Sequence, residues 1–351
     1  MDNNKYYPMN SAELLDMILD VYKKSFAKQI AISMIFGIIF SVIVYIVIIL
    51  GGIGVAVGIM GTVSSYGDPL DAIWSLLPAI ILFIVFFVFI TTIYQALITT
   101  GNAIITKQTF LNEPTDISAV LKQTFKKLIP AATAGLANLV VMLPLLALVG
   151  VFFYLYVVML IEIINNNTIP SSLTILATIA IFILMLVVSI ISSAITMMSM
   201  SAAVFENKYF FSALKKSYQL VKPDFMKIIG LLSVWSLVVS ATSYSVTYVL
   251  QFATIFGEWI LPQEAAAIVS VISMSISYVL SIAVSVLMAP LSGIFSTLMY
   301  INQRFKHEGL DIELNLNEAT KQRYQKQYAE QQRLYNNLIN PNQNNYYPGP
   351  R

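Results

Sequence analysis

The chain has 351 residues, of which 58% are hydrophobic and only 11% are charged, and its mean hydropathy is +0.76. Soluble domains carry about 25% charged residues, so this composition excludes a domain folded in water. The formal net charge of +2 is too small to indicate a nucleic-acid partner. The sequence contains no cysteine, which excludes disulfides, thiol chemistry and thiolate metal sites.

Six long apolar runs follow one another along the chain. They cover about 29–50, 77–100, 128–161, 173–203, 228–256 and 266–300. About 20 apolar residues cross the hydrocarbon core of a bilayer as a helix, so each run is long enough to cross once. Membrane barrels need short segments of alternating polarity, and these runs do not alternate. The sequence therefore predicts an all-α, polytopic membrane protein with six transmembrane helices.

The basic residues mark one side of this arrangement. All 20 Lys and Arg residues lie before the first run, between the second and third, between the fourth and fifth, or after the sixth. The connections around 51–76, 162–172 and 257–265 contain none, and random placement would give this pattern with a probability of about 0.002. By the positive-inside rule, both termini are predicted to be cytoplasmic. Two crossings within the third run would break this alternation, so we predict one.

A basic amphipathic segment precedes each pair of runs and divides the domain into three helix-pair units. These segments begin at Ser11, Ser118 and Ser212, and each contains a pair of lysines. Serine is a favoured N-cap residue, so each segment is expected to begin a helix there. We expect these helices to lie in the cytoplasmic interface, with their apolar faces in lipid and their lysines outward. Anionic lipid is the expected partner, and a cytoplasmic or membrane protein is a second possible partner.

Two regions differ in composition from the six runs. Five glycines between 51 and 61 predict a mobile or re-entrant segment in the first outer connection. Residues 317–351 form a cytoplasmic tail rich in Asn, Gln and Tyr, with a marginal helix predicted over 318–338 and disorder after it. The six-helix transmembrane domain accordingly covers 1–316.

No ionisable side chain lies well inside any of the six runs. Intramembrane ionisable residues are the usual mark of proton relays, ion coupling and intramembrane catalysis. The single histidine, His307, lies beside the last run in a charged segment, so neither a histidine metal site nor a Ser–His pair is expected. We therefore expect a protein without an enzymatic centre, a metal or a cofactor.

Hydroxyl side chains recur at helical spacing in the last three runs. The spacing of three and four residues places each set on one face of its helix. Small and hydroxyl residues let membrane helices pack closely and hydrogen-bond to one another. The alternative is a polar pocket or path for a lipid headgroup, a peptide or a small solute. The candidate residues of this polar stripe are Ser192, Thr196, Ser236, Ser240, Ser277 and Ser281.

Two stretches resemble a known family. Residues 206–222 read ENKYFFSALKKSYQLVK, and residues 298–314 read LMYINQRFKHEGLDIEL. Both resemble the glycerophosphoryl diester phosphodiesterase membrane domain, a six-span bacterial domain. Its members tend to show an acid, then Ala-Leu-basic-basic-Ser with Leu-Val beyond, and to end in a Tyr-Asp-x-Arg-x-Arg-x-Glu-Gly-x-Asp-like run. The matching residues of this chain are Glu206, Ser217, Arg304, Glu308, Gly309 and Asp311.

The resemblance covers roughly residues 8–316 and includes departures from the family pattern. Asn302 and Ile301 stand where the family often has Asp and Tyr. The residues after 316 are too few for a phosphodiesterase domain, so the resemblance implies no catalytic activity. It implies a multi-pass protein of the bacterial inner membrane, in a family whose molecular role is largely uncharacterised.

Two functions remain open for such a chain. The first is a non-enzymatic accessory or scaffold module that organises partners or lipids at the cytoplasmic face. The second is a transporter or export permease subunit for a lipid, a peptide or a small solute, working without ion coupling because the spans hold no ionisable group. The sequence leaves the oligomeric state open.

Overall fold

The structure is a computed structural model that describes residues 5–66, 69–166, 171–260 and 263–339. Its regular elements within these ranges are all helical, which confirms the all-α class. In chain order they are α1 Ser11–Tyr66, α2 Pro69–Phe110, α3 Ile117–Lys126, α4 Leu128–Asn166, α5 Ser172–Thr196, α6 Ser199–Glu206, α7 Phe210–Val221, α8 Phe225–Ile260, α9 Gln263–Glu308 and α10 Leu310–Ile339. A 3-10 turn, Lys222–Asp224, precedes α8.

Five stretches within the described residues are long and apolar enough to cross a membrane. They are Ser11–Gly51, Ile81–Phe110, Leu128–Ile164, Ser172–Glu206 and Phe210–Ser245. The chain is therefore a multi-pass α-helical membrane protein. The sixth predicted run, 266–300, lies within α9 and is not among these five stretches.

Helix bounds test two of the sequence predictions. The third run forms one continuous helix, α4, which confirms a single helix there rather than a hairpin. The prediction of a mobile or re-entrant segment between 51 and 61 is wrong, because α1 continues through these glycines to Tyr66. Glycine costs a helix about 1 kcal/mol relative to alanine. In α1 the helix carries this cost at five positions without ending.

The short helices α3 and α7 turn their apolar faces towards protein and not towards lipid. In α3 the buried residues are Val120 and Thr124. In α7 the buried residues are Ala213, Ser217, Leu220 and Val221. Ala213 meets Ala134 of α4 and Ala203 of α6, and such small side chains let helices approach closely. The predicted placement of these apolar faces in lipid is therefore wrong.

The serine N-cap prediction is also wrong for these two helices. The N-cap of α3 is Asp116, whose carboxylate accepts a hydrogen bond from the Ala119 N–H at 3.1 Å. That bond lowers the pKa of the Asp116 carboxyl below its ordinary value. In α7 the N-cap position is Tyr209, and Ser212 lies three residues further on, where its hydroxyl accepts from the Tyr209 N–H at 3.0 Å. Asp116 is as good an N-cap residue as serine, and it takes the N-cap position predicted for Ser118, two residues later.

Two compact units make up the chain, Ser11–Tyr300 and the pair Met1–Asn10 with Ile301–Arg351. In the first unit, buried apolar side chains gather where the long helices meet the lysine-bearing connections. This packed end contains Ile32, Phe36, Ala96, Ile104, Ile105, Val120, Ala131 and Val204. Further along the same helices, large apolar side chains such as Ile46, Leu82 and Leu146 are exposed, as expected of surfaces that face lipid.

In the second unit, two asparagine side chains hold the segment before α1. The Asn302 amide accepts from the Met9 N–H at 2.8 Å and donates to the Met9 carbonyl at 3.0 Å. Asn315 makes the same pair of bonds with Tyr6, at 3.1 and 2.7 Å. Helix α10 confirms and lengthens the helix predicted over 318–338, and the disorder predicted beyond 339 lies outside the described residues.

The hydrogen bonds of Asn302 can be tested by one substitution. We expect Asn302→Asp to release the segment around Met9. A carboxylate has no N–H to donate to the Met9 carbonyl, and it leaves that buried acceptor unsatisfied. Hydrogen exchange of the Met9 amide should become faster, whereas the surface change Gln325→Glu on α10 should leave it unchanged. Unaltered protection of Met9 in Asn302→Asp would contradict this role of the Asn302 hydrogen bonds.

Candidate functional site

Glu206, the first residue of the family-like motif, joins three helices at the packed end. It ends α6 and accepts a hydrogen bond from the Tyr300 hydroxyl of α9. Lys208 Nζ lies 3.0 Å from its Oε2, and Lys216 Nζ of α7 lies 3.4 Å from its Oε1. Asn207 follows with a left-handed φ of 52°, a conformation that asparagine tolerates. This turn brings Lys208 back to the carboxylate.

The second residue of that motif, Ser217, is fully buried on α7. Its hydroxyl donates to the Ile195 carbonyl near the end of α5 at 2.6 Å. Serine bonds of this kind join helices whose backbones lie close together. Glu206 and Ser217 therefore both fix α7 against the long helices, one by charge and one by a backbone contact.

The remaining four motif residues lie in the second unit and have local roles. Arg304 Nε donates to Glu308 Oε2 at 2.8 Å, one turn apart on α9. Gly309 follows with φ +66° and separates α9 from α10, which is the usual role of glycine after a helix. Asp311 lies in the first turn of α10, where a negative charge is favourable.

The six candidate residues of the polar stripe do not share one environment. Ser192 and Thr196 of α5 are buried, and Thr196 donates to the Ser192 carbonyl at 2.8 Å. Ser236 and Ser240 of α8 are exposed. Ser277 and Ser281 of α9 are half-buried.

A cavity of about 420 Å³ lies between α2, α4 and the junction of α5 with α6. Its polar lining comes from Thr91, Thr92 and Gln95 of α2, Asn138 of α4 and Thr196 of α5. Thr196 is the one member of the predicted stripe that lines it. The other four residues were missed because only hydroxyls of the last three runs were considered. The i, i+4 spacing of Thr91 and Gln95 within an apolar run was the signal that could have found them.

The titratable groups in the described part of the chain do not make a metal site, since no group of three or more His, Asp or Glu side chains there could hold an ion. The Glu206 carboxylate is held by two ammonium groups and a hydroxyl. This arrangement stabilises a negative charge and is suited to joining helices. It does not resemble a general base beside a nucleophile.

No protein-family model, curated protein or solved structure matches the chain. The resemblance over 206–222 and 298–314 therefore stays a prediction. The class that the fold defines is a multi-pass α-helical membrane protein with a packed, lysine-bearing end.

Proposed function

We propose that the protein is a non-enzymatic accessory or scaffold module of the bacterial inner membrane. In this proposal α9 is the sixth span, both termini are cytoplasmic, and the packed end faces the cytoplasm. The supporting observation is that α3 and α7 are anchored by their buried faces, so the side chains on their outer faces have fixed positions. A rigid surface reduces the entropy lost when a partner binds.

The outer faces of α3 and α7 have the composition of a docking surface. Exposed lysines alternate with exposed aromatic rings there, and basic and aromatic side chains are common at protein interfaces and at lipid headgroups. The exposed residues are Lys122, Phe125, Lys126, Phe211, Lys215 and Tyr218. We call this set the basic platform.

The orientation can be tested by cysteine labelling, because the chain has no cysteine of its own. We expect a cysteine introduced at Ser64 or Asn166 to react with an impermeant thiol reagent added outside intact cells. A cysteine at Ser212 should react only after the cells are opened, because the lysine-rich connections are retained inside. The opposite pattern would overturn the proposed topology.

A photo-crosslinking residue at Tyr218 tests the scaffold proposal in living cells. We expect a discrete adduct with a second protein, which should disappear when Lys122 and Lys215 are both changed to Glu. The matched control is the same crosslinker at Leu173, which is 77% exposed at the start of α5 on the base-free side. Equal adducts at Tyr218 and Leu173, or none at Tyr218, would contradict the proposal.

The second candidate function is a transporter or permease subunit, and the polar cavity beside Thr196 favours it. A transport path must be reached by water, whereas a packing defect facing lipid stays dry. If the protein transports a solute, Thr92→Cys and Asn138→Cys should react with a water-soluble thiol reagent faster than Val140→Cys, which is exposed on α4. Equal, slow reaction at all three sites would leave the scaffold function.

A further inference from the structure

A second cavity, of about 250 Å³, lies where α2 ends, α3 runs alongside and α6 ends. Its polar lining consists of the ammonium groups of Lys107 and Lys127, the amides of Gln108 and Gln123, and the carboxylate of Glu113. The ring of Phe205 forms part of its apolar floor. None of the family-like motif residues and none of the polar-stripe residues lines it.

Both lysines are positioned without a carboxylate. Lys127 Nζ donates to the amide oxygen of Asn207, and Lys107 Nζ lies 5.2 Å from the centre of the Phe205 ring. Among the described residues, neither ammonium group forms a salt bridge. Lys208 and Lys216 nearby are instead paired with Glu206. Since two ammonium groups and only one carboxylate, that of Glu113, line the cavity, its lining keeps a net positive charge.

The local electrostatics agree with this geometry. Burial, together with the positive charges of Lys126 and Lys107, lowers the pKa of Lys127 below its ordinary value. An anion placed between Lys107 and Lys127 would relieve this repulsion. The Gln108 amide oxygen is buried without a hydrogen-bond partner among the described residues, and a half-turn of the amide would place its NH₂ at that position. Its NH₂ and that of Gln123 are donors that an anion could use.

The cavity lies at the depth of lipid headgroups. Lys107 is three residues from the end of the span Ile81–Phe110, and Lys127 immediately precedes the span Leu128–Ile164. Basic side chains at the ends of spans lie at the level of lipid phosphates. A tetrahedral phosphate offers several acceptor oxygens, and lysine is a common partner for it.

We propose that this cavity binds the phosphate of an anionic ligand, with Lys107 and Lys127 as its charge partners and the amides of Gln108 and Gln123 as hydrogen-bond donors. The Glu113 side chain of the lining is exposed, so its carboxylate is screened by solvent and only partly offsets the two ammonium groups. The phosphate comes either from an acidic phospholipid that enters from the bilayer or from a soluble phosphate. This inference stands on the cavity alone and holds whether the protein is a scaffold or a transporter.

The test uses the full chain in nanodiscs and two matched double variants. Lys107→Gln with Lys127→Gln removes both charges from the cavity, and Lys321→Gln with Lys326→Gln removes two exposed charges on α10, outside the cavity and outside the basic platform. Thermal melting is followed by tryptophan fluorescence while phosphatidylglycerol replaces phosphatidylcholine in the disc. In a second arm, inorganic phosphate is titrated into discs of phosphatidylcholine alone.

We expect an anion-dependent rise in Tm for the wild-type protein and for the Lys321/Lys326 variant. The Lys107/Lys127 variant should need at least about a tenfold higher anion concentration for the same rise, because it has lost two charge-assisted bonds. A rise with phosphatidylglycerol assigns the site to a lipid headgroup, and a rise with inorganic phosphate assigns it to a soluble phosphate. No rise in either arm, or an equal loss in both double variants, would overturn the proposal. Equal Tm values without anion would show that the two variants fold alike.

Discussion

Glu206→Ala is expected to lower the free energy of unfolding by roughly 2–4 kcal/mol, because it removes one partner from a mostly buried charge cluster. The Glu206 side chain is 17% exposed and that of Lys216 is 12% exposed. Without the carboxylate, the Lys216 ammonium group and the Tyr300 hydroxyl each lose an acceptor. Glu206→Gln keeps an acceptor for Tyr300 but not the negative charge, so its loss should be intermediate.

The measurement can use Trp235, which stacks on Phe295 with ring centroids 5.0 Å apart. Changing the other two tryptophans, Trp74 and Trp259, to Phe makes its fluorescence a single probe of unfolding in mild detergent. Glu330→Ala on the exposed side of α10 is the control, with an expected change within about 0.5 kcal/mol. A loss for Glu206→Ala no larger than that of this control would show that the cluster does not hold the helices together.

Part of this fold could be predicted from the sequence because lipid restricts the choice of structure. The apolar runs had to form helices, because lipid offers the backbone no other hydrogen-bond partner. The role of Glu206 could not be predicted in the same way. Its position in a family-like motif identified the residue, but its partner Tyr300 lies 94 positions away. Helix periodicity carries no information about a contact between two distant helices.

The amphipathic helices α3 and α7 also show what a sequence pattern cannot decide. The pattern correctly identified an apolar face on each, but an apolar face can be covered by lipid or by protein. The choice depends on small residues of other helices, such as Ala134 and Ala203, which let α7 come close. The glycines of α1 were misread for a related reason. Glycine lowers the stability of a helix but does not by itself end one, and α1 continues through these residues.

Gly101→Ala is expected to destabilise the protein by about 1–3 kcal/mol, as overpacking of a tight core usually does. A Cβ atom at position 101 would lie 2.7 Å from Ile32 Cγ2. Ile32 is fully buried in the packed end, so it has little room to move. The close crossing of α1 and α2 at this point therefore requires glycine at position 101, because glycine has no Cβ atom.

A double-mutant cycle separates this close contact from any other effect of the substitution. Ile32→Ala removes the Cγ2 atom and should itself cost about 2–5 kcal/mol by leaving a cavity. In the double variant, the methyl group introduced by Gly101→Ala enters the space left by Ile32. The double variant should therefore lose less stability than the sum of the two single losses, by about 0.5–3 kcal/mol. Strict additivity would show that the two positions are not in contact.

The same substitution in the open part of a helix should have the opposite sign. A Cβ atom at Gly150 in α4 would meet no atom within 4 Å outside its own helix neighbourhood. There Gly150→Ala adds only helix propensity, which favours alanine by about 1 kcal/mol in soluble helices. A loss at 101 together with a gain or no change at 150 isolates the packing cost of the α1–α2 crossing. If Gly101→Ala were as well tolerated as Gly150→Ala, the two helices could not approach as closely as this fold requires, and the buried cluster around Ile32 would need a different arrangement.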